Sequence, residues 1–431
     1  MTVKAYLGLG TNEGNRKINL ELAISRIKNL KDASHFRVSP IYETPALLPE
    51  GAPDAWNKPY LNLVLEARFP GTADELLLAL KQIERDLGRG SLERWAPRTI
   101  DIDLLLWGND QLNSPKLQVP HARMLERAFV LDPLKDLDPT LLLPIGEGAV
   151  ALTASRRQPQ HAPLWMGILN ITPDSFSDGG SYGDPGSLEK RLDEWDAHFV
   201  GVLDVGAEST RPGARPVEHD EEWQRLAPAL RSLQERYKNC ALRPLISVDT
   251  RCAKTAARAL EYGVDIINDV SGLADTEMID VLRGSEAQYV LMHSLSVPAE
   301  PTKTLPKDID PIAELLHWFK EKTAILEAAG ISKSRILLDP GIGFGKTSLQ
   351  SLEILRGFDK LTALPYRLLA GHSRKSFLNP FTPYPAQNRD LESAGVSINL
   401  VSKGVDVIRV HDPVTHIRTF RAWNHVNRSQ P

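Results

Sequence analysis

The sequence predicts two α/β domains in one chain: an N-terminal ferredoxin-like α+β sandwich, then a C-terminal TIM (β/α)8 barrel. Three observations predict it. The chain has 431 residues, too many for one ordinary domain. Before residue 148 the strand and helix periods alternate as β-α-β-β-α-β, the ferredoxin-like order. After residue 162 strands alternate with helices about eight times over roughly 260 residues, the size and rhythm of a TIM barrel.

In the first domain, Val3–Leu9 reads as a short apolar strand. Ile18–Leu30 has helical spacing through Leu20, Ala23, Ile24 and Ile27. His35–Tyr42 and Tyr60–Phe69 read as strands, the second alternating through Leu61, Leu63, Leu65 and Ala67. Thr72–Leu87 reads as a helix opened by a capping box of Thr72 and Glu75. Ile100–Trp107 is a strand, and Ala122–Leu137 a mostly helical addition. Residues 146–163, GEGAVALTASRRQPQHAP, sustain no apolar period and read as a seam. The expected boundaries are 1–147, a linker at 148–162, and 163–431.

The eight barrel strands are expected at Leu164–Leu169, Val200–Val205, Leu245–Val248, Asp265–Ile267, Tyr289–Met292, Ile336–Leu338, Arg367–Leu369 and Val407–Val410. Helices such as Leu188–Phe199, Glu221–Tyr237, Ala253–Tyr262, Ile312–Ala329 and Ser393–Lys403 fall between them.

Composition is that of a globular protein, 42% hydrophobic and 25% charged. Residues 1–148 carry 18 Lys and Arg against 20 Asp and Glu, and the rest 33 against 35. Neither part is basic, so no nucleic-acid partner is expected. Cys240 and Cys252, the two cysteines, argue for reduced thiols rather than a disulfide scaffold. The N-terminus lacks the apolar core of a signal peptide, and no run is long enough to span a bilayer. A cytoplasmic protein with no membrane partner is expected. A homodimer through the barrel is among the assemblies expected.

Every expected barrel strand ends in polar residues: Asn170; Glu208 to Arg211; Asp249; Asn268-Asp269; His293; Asp339; Lys375; and Arg409 with His411. Ordinary turn chemistry would scatter Gly, Asn and Ser there. A ring of Asp, Asn, Lys, Arg and His marks a ligand site at the C-terminal mouth of a barrel. Asp249, Asn268 and Asp339 suit the N–H groups of a planar heterocycle; Arg211, Arg409 and His411 suit phosphate oxygens.

The strings NITPDSFSDGG, AESTRPGA, SVDT, IINDVSG, LMHS, LDPGIGFGK, GHSRKS and RVHD stand in the order found in dihydropteroate synthases, which residues 164–412 resemble. The resemblance implies that Asp249, Asn268, Asp339 and Lys375 hold a pterin, and Met292 and Gly343 are also expected among the substrate-binding residues. Asn170, Arg211, Arg409 and His411 would hold pyrophosphate and one Mg²⁺. Thr210, Pro212, Phe344, Ser373 and Lys375 would shape a p-aminobenzoate site. Residues 171–180 and 209–216 would be mobile loops. Arg211, Lys375, Arg409 and His411 would be the catalytic set, stabilising the charge of departing pyrophosphate while the aniline attacks the pterin methylene carbon. Ala207 stands where the family commonly has a second glycine.

In the first domain Asp101 and Asp103 lie two apart on a strand and share one face. Adjacent carboxylates repel unless a cation lies between them. Around them GLGTN, Tyr42 to Pro45 as YxTP, YLN, ERWAPRTIDID, and VPH followed by Arg127-Ala-Phe resemble 6-hydroxymethyl-7,8-dihydropterin pyrophosphokinases over about residues 3–134. The resemblance implies two Mg²⁺ on Asp101 and Asp103, ATP as co-substrate, and phosphate contacts from Arg89 and Arg98. His121 and Arg127 would bind ATP. Asn62 and Glu84 would line the substrate sites, with Trp95 on a loop and Phe129 beside the pterin. Ala122 and Ser91 depart from the family's usual tyrosine and basic residue.

These motifs admit other readings. Pro340 to Thr347 mimics a P-loop, but Pro340 occupies the first glycine's place and the segment lies late in a barrel. Lys375 would suit an aldolase Schiff base. The first domain would serve as a binding module were its Asp pair degenerate. The barrel would suit a corrinoid-dependent methyltransferase were it not for STRPG and SRKS. The chain starts directly at its first strand, so no aldolase domain is expected before it. A bifunctional folate-synthesis enzyme is the expectation.

Overall fold

The computed structural model describes residues 2–90, 95–145, 148–151, 156, 161–171, 185–208, 217–300 and 302–427. It divides into two compact units, Met1–Ala162 with Asn424–Pro431, and Pro163–Trp423.

The first unit is built on β1 (Thr2–Thr11), α1 (Arg16–Lys28), β2 (Ser34–Val38), β3 (Tyr42–Thr44), β4 (Tyr60–Pro70), α2 (Ala73–Asp86) and β5 (Asp101–Trp107). The antiparallel sheet runs β2-β4-β1-β5, with β3 also on β4. Leaving β3 aside, that is the ferredoxin-like order. Asn15 caps α1, and Thr72 and Glu75 form the expected capping box on α2. The strand expected at His35–Tyr42 is two strands. Pro40 has no N–H for the ladder, and Ser39 Oγ accepts the Val64 N–H at 3.0 Å across the break.

Hairpin β6 (Leu112–Asn113) and β7 (Gln118–Val119) follows, then α3 (Ala128–Leu137). Val130, Leu131, Leu134 and Leu137 of α3 pack on Tyr6, Val64 and Leu106 of the sheet. A second hairpin joins β8 (Leu142–Ile145) to β9 (Gly148–Ala151), so strand pairing enters the segment expected as a linker. Backbone pairing needs no apolar period, which is why the sequence pattern gave no sign of it.

The second unit closes eight parallel strands into a barrel. They are β10 (Leu164–Asn170), β11 (Val202–Gly206), β12 (Leu245–Asp249), β13 (Ile266–Asp269), β14 (Gln288–Met292), β15 (Ile336–Asp339), β16 (Arg367–Ala370) and β17 (Val407–Val410). Between them lie α4 (Pro185–His198), α5 (His219–Tyr237), α6 (Ala253–Glu261), α7 (Met278–Arg283), α8 (Pro311–Ala328), α9 (Ser348–Arg356), α10 (Phe358–Leu361) and α11 (Asp390–Ser402); α12 (Pro413–Val426) follows β17. Strand β17 pairs with β10, which leaves the barrel no free edge. The strands are almost wholly buried, as a sheet covered on both faces requires.

Candidate active sites

In the first unit a cavity opens where the sheet meets α3. Its floor includes Gly8, Gly10, Asn62 and Val64; its walls include Thr44, Pro45, Tyr60, Trp95, Arg98, Asp101, Asp103, Arg123, Arg127 and Phe129. A Cβ at Gly10 would lie 3.1 Å from Asn62 Oδ1, a tight approach that glycine avoids. Asn62 donates to Thr44 Oγ1 at 2.8 Å.

Asp101 and Asp103 alternate on β5 and both line the cavity. Arg89 donates to one oxygen of Asp101 at 2.6 Å and Arg98 to the other at 2.7 Å. Burial alone would raise the Asp101 carboxyl, but these two guanidinium groups outweigh it and hold it low. Asp103 is raised, first by burial and then by Asp101 beside it. His121 Nε2 lies 3.9 Å from Asp103, and burial lowers its imidazole. The Arg127 guanidinium lies 5.6 Å from the Phe129 ring centre, and Arg123 lies 5.5 Å from that of Trp95.

Glu84 is not a wall of this cavity. Its Oε1 accepts from Lys81 at 2.8 Å and from the Ile102 N–H at 2.7 Å, and pairs with Arg89. It therefore fixes the start of β5 and the arginine behind Asp101. Asn12, at the end of β1, accepts the Arg98 N–H at 2.7 Å. That contact explains the asparagine in GLGTN.

At the barrel mouth, Arg409 donates from Nε to Asp204 at 2.6 Å and from Nη2 to Asp249 at 2.7 Å. The guanidinium thus reaches from β17 past β10 to β11 and β12. Asn268 Nδ2 also turns to Asp204, at 3.3 and 3.5 Å. Burial pushes the Asp249 carboxyl up to about 7, against the pull of Arg409. Asp339 is likewise raised by burial, and Lys375 is lowered by burial to about 8 although Asp339 favours its charge. Lys375 Nζ stands 4.6 Å over the Phe344 ring and donates to the Ile342 carbonyl at 2.5 Å. Gly343 lies beside the Lys375 stem, and Met292 packs with Val270 and Phe344. His411 Nδ1 is 3.1 Å from Ser373 Oγ. Asn170 ends β10 and is exposed.

The structure therefore gathers Asp249, Asn268, Asp339, Phe344, Ser373, Lys375, Arg409 and His411 at one end of the barrel. Thr210, Arg211 and Pro212, and residues 172–180 and 209–216 of the two expected loops, lie outside the described residues. Glu208 pairs with Arg251 through both oxygens at 2.9 Å and accepts the Val217 N–H at 3.1 Å.

Two mouth residues are structural instead. Asp269 accepts from Tyr289 Oη at 2.6 Å and from the N–H groups of Ser271 and Leu273. His293 is taken by Lys346. The P-loop mimic is no phosphate cradle, since Lys346 points inward to the carbonyls of His293 and Phe344, each at 3.0 Å. Sequence reasoning missed Asp204, fully buried in β11. A lone carboxylate inside the apolar run Val202–Gly206 was its signal.

Among the described residues no helix is long and apolar enough to cross a membrane. The family model for 7,8-dihydro-6-hydroxymethylpterin-pyrophosphokinase matches residues 6–139, and that for pterin binding enzymes matches residues 166–411. The folate synthesis bifunctional protein of Chlamydia caviae is 34% identical, covering 98% of each chain. A dihydropteroate synthase of Clostridium difficile, solved with pteroic acid, is 33% identical at a TM-score of 0.55; the match covers 62% of this chain and 97% of that one. One of Xanthomonas albilineans, solved with 4-aminobenzoic acid, is 32% identical at 0.55, covering 62% and 94%. The chain belongs to the bifunctional folate-synthesis family, its first unit a pterin pyrophosphokinase and its second a dihydropteroate synthase.

Proposed function

We propose that Asp101 and Asp103 hold two Mg²⁺ ions in the first reaction and that Arg211, Arg409 and His411 receive the pyrophosphate released in the second. The chain transfers pyrophosphate from ATP to 6-hydroxymethyl-7,8-dihydropterin, releasing AMP, and condenses that product with p-aminobenzoate to 7,8-dihydropteroate. One observation carries this reading. A carboxylate–arginine cavity and an acceptor-lined barrel mouth occur together in a chain matched over 98% of its length to a bifunctional relative.

In the kinase site the residues fit divalent cations. Asp103 is raised partly because Asp101 is so close, and a cation between them would lift that penalty. Asp101 and Asp103 would be the protein ligands of the ions, and phosphate oxygens of ATP and water would supply the remaining ligands. Bound Mg²⁺ supplies charge neutralisation on the phosphates. Arg89 and Arg98 steady Asp101 and stand ready for phosphate oxygens, as His121 and Arg127 do for ATP. Asn62, Trp95 and Phe129 seat the pterin, and Glu84 acts through Arg89.

In the synthase site Asp249, Asn268, Asp339 and Lys375 hold the pterin ring, Met292 and Gly343 line the substrate site, and Phe344 and Lys375 also border the p-aminobenzoate. Thr210, Pro212 and Ser373 border the p-aminobenzoate. Asn170 contributes to one Mg²⁺ bound with the pyrophosphate. Arg409 is anchored through Nε and Nη2, and a guanidinium held in place this way supports its role in receiving the leaving group.

We assign the protein to the cytoplasm, divided at residues 1–147 and 163–431. Its barrel forms a homodimer through the face where Leu349, Phe381 and Leu391 stand exposed beside a groove lined by Leu352, Leu355, Phe377 and Val396.

Product analysis tests the reading. Given ATP, Mg²⁺ and 6-hydroxymethyl-7,8-dihydropterin, the protein releases AMP; p-aminobenzoate then yields dihydropteroate. Conversion of supplied pterin pyrophosphate without any AMP release would reduce the first unit to a scaffold.

A further inference from the structure

Asp204 is fully buried in the barrel interior, and the reaction gives it no direct work. Its two oxygens collect donors from three other strands. Ser247 Oγ on β12 donates at 2.6 Å, Asn268 Nδ2 on β13 at 3.3 and 3.5 Å, and Arg409 Nε on β17 at 2.6 Å. A carboxylate has no proton to give, so it meets the side-chain amide of Asn268 only through the NH₂ end. The carbonyl end, Oδ1, must then face the other way.

We propose that Asp204 is the positioning residue of the synthase site: it sets Asn268 as an obligate acceptor toward the bound ring and fixes the Arg409 guanidinium. The inference rests on the synthase reading above. Without Asp204 the Asn268 amide is free to turn, and it would then offer N–H groups as readily as its oxygen. A site with a free amide there loses its preference for a ring that donates N–H at that edge. Arg409 would keep Asp249 and lose the contact that aims its plane. Asp249 accepts from Arg409, and among the described residues it makes no hydrogen bond to Asn268, so it does not substitute.

The test is steady-state kinetics on the full chain with the D204N variant, which keeps shape and removes the charge. The KM for pterin pyrophosphate rises at least about tenfold while the KM for p-aminobenzoate stays within about twofold. The exchanged pair D204N/N268D reverses the hydrogen bond, with an amide donor at 204 facing a carboxylate acceptor at 268; it keeps an acceptor toward the ring and recovers part of the loss that either single change causes. S247A, which trims only one donor to Asp204, moves the same KM in the same direction by a smaller factor and covers the case of D204N failing to fold. An unchanged KM for pterin pyrophosphate in D204N, or a double variant no better than the worse single one, overturns the proposal. Calorimetric binding of pterin pyrophosphate to the wild type and D204N separates the two readings. If the wild type binds it without turnover, the synthase reading fails, and the affinity difference still decides the role of Asp204.

Discussion

Lys346 directs its side-chain nitrogen at Nδ1 of His293, 2.7 Å away, with both side chains buried. The carbonyls of His293 and Phe344 complete the set of acceptors around it. A lysine in a glycine-rich loop thus ties the end of β14 to the segment that carries Phe344, the ring beneath Lys375. The glycines serve the same closure. Gly341 has a φ of +64°, and a Cβ there would fall 2.0 Å from the His293 carbonyl oxygen.

Replacing Lys346 by methionine leaves those carbonyls without their donor. The expected outcome is a loss of about 1–3 kcal/mol in barrel stability. A fall in synthase turnover accompanies it, while AMP release by the first unit is unchanged. Denaturant melts and the two separate assays check it; equal loss of both activities would count against this role.

Asp101→Ala removes one of the two carboxylates on β5, taking a partner from Arg98 and leaving Arg89 with Glu84. AMP release falls by at least about a hundredfold, as expected when a metal-binding carboxylate is lost. Dihydropteroate formation from supplied pterin pyrophosphate is untouched. Residual kinase activity near the wild-type level would show that Asp101 holds no metal.

The barrel's buried histidines set a pH dependence. Burial lowers His293 to about 3 and His372 to about 4. Unfolded, an imidazole protonates near pH 6.5. Between these limits the unfolded chain takes up a proton that the folded barrel refuses, so stability falls as pH drops from about 7 to 5, by about 1–2 kcal/mol per histidine. Above pH 7 this contribution is flat. Unfolding midpoints at pH 7 and 5 check it, with His372→Asn showing a smaller fall than the wild type. An equal fall in both would clear His372 of any part.

Phe381→Glu places a charge on the exposed apolar face beside α9 and α11. Light scattering is expected to give twice the chain mass for the wild type and the single-chain mass for the variant. A wild type at single-chain mass would remove the dimer assignment.

Much of this protein was legible in its sequence, because local chemistry fixed it. Strand periods gave the order of elements in both units, and the capping box at Thr72 and Glu75 needed only two residues three apart. The polar strand ends gave the barrel mouth, since a parallel strand must end where its backbone pairing ends. The split at Pro40 and the hairpin of β8 and β9 escaped, because backbone pairing is decided by partners distant in sequence.

What only the tertiary structure decided is which polar residues face a ligand and which face the protein. Asp269 and His293 stand at strand ends like Asp249 and Asp339, yet Tyr289 and Lys346 claim them. Glu84 on α2 holds the Ile102 N–H between the two Asp residues and pairs with Arg89. Asp204 passes unremarked within an apolar strand of the sequence; the closed barrel brings Ser247, Asn268 and Arg409 to it. A sequence lists donors and acceptors; burial forces each of them to find a partner, and only the fold determines which.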